Sequence, residues 1–103
     1  MYLYNDVNSD IYIKIPKNVN HINKGAYYRN SVYNKNVYFY GNRPLLNTIH
    51  QNSDASGNIA PEVFEFGSGA KIIVPNFLDY PEYASSWEKI TSIDGYPVEQ
   101  NSS

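Results

Sequence analysis

A chain of 103 residues offers enough sequence for one domain and too little for two with separate cores. It contains no cysteine, which excludes disulfides and zinc–thiolate sites, and its net charge of −2 lacks the basic footprint of a nucleic-acid binder. The sequence has no apolar run of about 18 residues that would predict a membrane span. Residues 1–6 lack the basic and apolar regions of a secretory signal, so the expectation is a cytoplasmic protein, or a secreted one whose leader has been removed.

Taken in chain order, residues 5–10 read as a turn. Ile11, Ile13 and Ile15 then alternate with Tyr12 and Lys14, the period-two pattern of a half-buried strand, and Pro16 ends it because proline donates nothing to a ladder. A polar stretch over 17–25 follows. Residues 26–33 and 36–40 are rich in valine, tyrosine and phenylalanine, and Asn34-Lys35 between them suits a tight turn. The expectation is a tyrosine-rich hairpin closed by the turn chemistry of Gly41-Asn42-Arg43-Pro44.

Residues 45–50 are ambiguous between a helical turn and a strand, and 51–59 read as an exposed loop. Residues 63–66 and 70–74 flank Gly67-Ser68-Gly69, which predicts a second hairpin. One helix is expected over 81–90. Pro81 suits its first turn, and Tyr83, Trp87 and Ile90 share a face, with Trp87 as the anchor on the sheet. Asp94-Gly95 predicts a turn and 96–98 a last short strand, with 100–103 fraying. No internal repeat is visible. The sum is a mainly β (α+β) single domain over 1–103: a curled antiparallel sheet of about six short strands with one helix packed on it late in the chain.

No metal or cofactor site is expected. His21 and His50 stand 29 positions apart, no HExxH or calcium-loop spacing occurs, and Gly67-Ser68-Gly69-Ala70-Lys71 precedes no helix that would aim it at a phosphate. None of the serines sits in a nucleophile elbow. The one chemistry these residue types could assemble is metal-independent RNA cleavage, with His21, His50 and Glu62 as acid and base and Lys24, Arg29 or Arg43 on the phosphate.

The stronger expectation is a non-enzymatic module that binds another protein. Five of the 11 tyrosines fall on the expected hairpin, and Tyr27, Tyr28, Arg29, Tyr38 and Tyr40 are of the residue types that dominate interface hot spots. The acidic pI disfavours nucleic acid as the partner. An edge strand with a tyrosine row would suit a second copy of the chain as well as a foreign protein. In composition alone the chain resembles small phage-encoded and toxin–immunity accessory proteins, which implies an inhibitor or accessory role.

The charges also divide. Residues 14–43 carry Lys14, Lys17, Lys24, Arg29, Lys35 and Arg43 and no acid, whereas acids dominate from Asp54 onward. Pairing between the two halves is the expected outcome.

Overall fold

Alternating isoleucines form β1 (Ile11–Ile15), with the bounds that the pattern predicts. The computed structural model describes residues 11–27, 35–48, 52–66 and 69–102. Seven further strands follow: β2 (His21–Ile22), β3 (Lys35–Phe39), β4 (Leu45–Leu46), β5 (Asn58–Ile59), β6 (Lys71–Val74), β7 (Ser92–Ile93) and β8 (Tyr96–Gln100). A 3-10 turn at Pro81–Tyr83 runs into the single-turn helix α1 (Ala84–Trp87) before β7.

The strands lie in the order β1-β3-β6-β8-β7-β5 in a mixed six-stranded sheet, with β2 and β4 forming a second, two-stranded one. All pairings are parallel except β7 with β8. The expected antiparallel sheet is therefore corrected to a mostly parallel one. Residue 11 meets 35 and residue 21 meets 45, the same offset of 24, so the chain returns on itself as a coil. Later passes are less regular: 36 meets 71, 58 meets 92 and 72 meets 98. These unequal lengths explain why no repeat is visible in the sequence.

Both expected hairpins are overturned where they can be seen. The first arm of the tyrosine hairpin lies mostly outside the described residues, but β3 has both edges filled, by β1 and β6. Tyr27 instead makes a parallel bridge to Phe64. That bridge also takes the segment meant to pair with β6, whose own edges belong to β3 and β8. Turn chemistry is local and does not specify which strands pair across it; the turn residues Asn34, Gly67 and Ser68 themselves lie outside the described residues.

The core lies inside the coil. Ile13, Val37, Ile72 and Val98 are successive register partners on the inner face, while Lys14, Tyr38, Ile73 and Glu99 form the adjacent row. Ile22, Leu46, Ile59, Phe64 and Ile93 close the interior from the other elements. Burying each such side chain contributes about 1.5–3 kcal/mol. An aromatic chain runs through it: Trp87 on Phe39 at 4.8 Å, Phe39 on Phe64 at 6.4 Å, Phe64 on Phe66 at 5.7 Å and Phe66 on Tyr96 at 5.6 Å.

The helix is shorter than expected, yet its anchor is as expected. Trp87 is 1% exposed and donates its indole N–H to the Gly41 carbonyl at 2.9 Å. A Cβ on Gly41 would sit 2.8 Å from the Lys17 Cα, so glycine is what allows two passes to meet at this corner. The Asp94-Gly95 turn is present, with φ of 54° and 88°, the positive pair that a tight two-residue hairpin requires. Gln100 and Asn101, expected to fray, are held by hydrogen bonds. Asn101 N–H donates to the Val74 carbonyl and its own carbonyl accepts from the Asn76 amide, which holds the end of β8 against β6.

Candidate functional site

The four long parallel strands end at one corner of the coil, and the residues after them line a groove of about 500 Å³. Lys17 follows β1, Tyr40 follows β3, Pro75 and Asn76 follow β6, and Asn101 follows β8. One wall is the segment carrying Asp79, Tyr80, Glu82 and Tyr83, and buried Phe39 contributes to the floor.

Asn76 shapes that wall. Its Oδ1 accepts the N–H groups of Leu78 at 2.8 Å and Asp79 at 3.3 Å, and its main-chain carbonyl accepts that of Tyr80 at 2.9 Å. An asparagine that satisfies its own downstream backbone makes a tight local turn. The neighbouring Phe77 N–H donates to Gln100 Oε1 at 2.9 Å, so the loop is fastened to β8 as well. Out of this fastened loop project Leu78, 91% exposed, and Tyr80, 50% exposed.

The aromatic rings pair up. Tyr80 stacks on Tyr83 at 6.1 Å and Tyr38 on Tyr40 at 6.4 Å, with ring planes 25° and 17° from parallel and Tyr40 44% exposed. Two acids, Asp79 and Glu82, share the groove with one base, Lys17. Tyrosine faces beside carboxylates form a setting that attracts a cation from both ring quadrupole and charge.

The sequence-predicted binding residues divide. Tyr38 and Tyr40 lie together on the outer side, with Tyr40 in the groove. Tyr27 is half-buried and stacks on Phe64 at 5.5 Å, which joins it to the interior aromatic chain. Tyr28 and Arg29 lie outside the described residues.

Of the candidate acid–base residues, His21 is exposed on β2, and Glu62 is exposed and ion-paired with Lys24 at 3.1 Å. His50 lies outside the described residues. The Lys24–Glu62 pair does join the basic and acidic halves of the chain, whereas Lys71–Glu99 at 3.3 Å lies within the second half. Among the described residues no group of three or more histidines and carboxylates is placed to hold a metal ion.

Tyr80, Tyr83, Asp79 and Asn76 are site residues that the sequence reading missed. Tyr83 was assigned to the buried helix face, and it is indeed half-buried, but its ring also lines the groove. The available signal was the Tyr80-Pro81-Glu82-Tyr83 spacing, since residues three apart are neighbours on a helical turn.

No family model matches this chain, and neither curated proteins nor solved structures give a match.

Proposed function

We propose that this chain is a non-enzymatic interaction module that binds a segment of a partner protein in the groove, with a lysine or arginine side chain of that segment against Tyr40, Tyr80 and Tyr83. The observation that supports it is a fastened loop presenting Leu78 and Tyr80 to solvent at the mouth of an aromatic, acid-bearing groove. A surface ordered before binding loses little entropy when a partner docks, and exposed tyrosines are favoured anchors at interfaces. Asp79 and Glu82 supply the complementary charge, and Lys17, also in the lining, favours a carboxylate or carbonyl on the same segment. A small accessory or inhibitor protein is the role such a module would fill.

Short blocked peptides of the form Gly-Lys-Gly, Gly-Arg-Gly and Gly-Glu-Gly test this by NMR of the tyrosine rings. The expected result is saturable shifts at Tyr40, Tyr80 and Tyr83 with the two basic peptides, weakened several-fold in Glu82→Gln. Equal response to the acidic peptide would overturn the reading. So would self-association in light scattering that Tyr80→Ala abolishes, which would assign the surface to a second copy.

A further inference from the structure

Beside the helical segment lies a smaller, open cavity of about 190 Å³, lined by Arg43, Asn52, Ser53, Ser85, Ser86, Lys89 and the apolar Ile90. Its two charged residues are both cationic. Arg43 is fixed there: its main-chain N–H donates to Ser86 Oγ at 2.9 Å and its Nε–H to the Ser86 carbonyl at 3.0 Å. Ser86 Oγ in turn donates to the Tyr83 carbonyl at 3.1 Å, so this serine is fully used in orienting the arginine.

What the arginine lacks is a counter-charge. The half-buried guanidinium forms no ion pair with any acid among the described residues, and burial holds its pKa below the ordinary value. A partly desolvated cation gains from an opposite charge placed against it. Asp54 and Glu88, the acids next in sequence to the lining residues Ser53 and Lys89, do not line this cavity. Asp54 directs its Oδ1 to the N–H groups of Ser56 and Asn58 and its Oδ2 to the Asn58 amide, and Glu88 lines a different depression with Val98 and Gln100.

The cavity therefore gathers donors from three segments: the guanidinium from the corner after β3, Ser53 and Asn52 from the loop before β5, and Ser85 and Lys89 from the helical segment. Its volume is that of several water molecules at ~30 Å³ each, enough for one small anion and its hydration. A planar carboxylate presents two oxygens in one plane, whereas donors converging from three segments suit an anion with oxygens on several sides. Arginine's fork pairs readily with such oxygens, and lysine adds a point charge.

We infer that this cavity is a binding site for a tetrahedral oxyanion, a phosphate or sulfate group, held between Arg43 and Lys89 with hydroxyl donors from Ser53 and Ser85. The site is independent of the groove. Its ligand neutralises Arg43 at a corner that the two hydrogen bonds to Ser86 already fasten to the helical segment.

Inorganic phosphate, sulfate and acetate are titrated separately into the intact chain, with sodium chloride holding ionic strength constant, while the Arg43 Nε–H and the Ser85 and Lys89 amides are followed by NMR. Phosphate and sulfate are expected to give saturable shifts confined to these groups. Lys89→Ala, at an exposed position that leaves the fold intact, is expected to weaken both about fivefold, the worth of one partly exposed charge contact. Arg43→Lys should weaken them further while keeping the charge. No saturable response to phosphate or sulfate would overturn the inference, as would acetate binding equally well or affinity unchanged in Lys89→Ala.

Discussion

Along β1, β3, β6 and β8 the passes of the coil are joined by ladders of up to five residue pairs, with matched apolar side chains inside. Elsewhere around the coil the ladders are two pairs long or a single bridge, and individual polar side chains make the joins. Asp94 is the main one. Its Oδ1 accepts the Glu62 N–H, and its Oδ2 accepts those of Val63 and Phe64, all at 2.8–2.9 Å. Asn47, buried with φ of 54°, donates its amide to the Pro61 carbonyl at 2.7 Å. A ladder spreads its stabilisation over many weak contacts, so one lost methyl is tolerated. A polar staple concentrates it, so one lost carboxylate leaves several backbone donors unmatched.

The largest expected effect is at the staple. Asp94→Ala removes the acceptor of three N–H groups, and hydrogen bonds to charged groups are worth about 1.5–3 kcal/mol each before solvent exposure reduces them. A loss of about 3–5 kcal/mol in urea unfolding is expected, and a loss below about 1 kcal/mol would erase the contrast. On the ladder side, Ile72→Val trims one methyl group at a fully buried position between Val37 and Val98. A cost of about 1 kcal/mol is expected in the same assay.

The smallest effect sharpens the comparison at a fully exposed staple. Hydrogen bonds from the Asn58 N–H, the Asn58 side-chain amide and the Ser56 N–H hold the Asp54 carboxyl below its ordinary value of 3.8. The stabilisation of this turn is complete above the unfolded value and is lost as pH falls through the lower, folded one. The Ser56 and Asn58 amide resonances should titrate together with a midpoint below 3.8. A midpoint at or above that value would show the turn to be unstapled.

The legibility of the chain follows the same division. Strand β1 was readable residue by residue because the alternation of Ile11, Ile13 and Ile15 is local information. The Asp94-Gly95 turn and the Trp87 anchor were readable for the same reason, since turn chemistry and helical spacing act over a few residues. Pairing direction was not. Nothing near Val37 says that its partners are Ile13 and Ile72, and only the closing of the coil brings them together. The site behaved likewise. Tyr40 stood out as an aromatic in a tyrosine-rich run, but Lys17, Asn76 and Asn101 become neighbours only because each follows a strand in the same stack. Staples such as Asp94 carry no mark in sequence beyond ordinary turn composition.

The groove owes its length to this stacking. Each strand of the β1-β3-β6-β8 wall delivers one terminal corner to it, so its length is measured in units of inter-strand spacing, about 4.8 Å. A further pass stacked on β1, the end strand of this wall among the described residues, would lengthen the groove by one such increment. Groove length and the number of stacked passes are thereby a single structural variable.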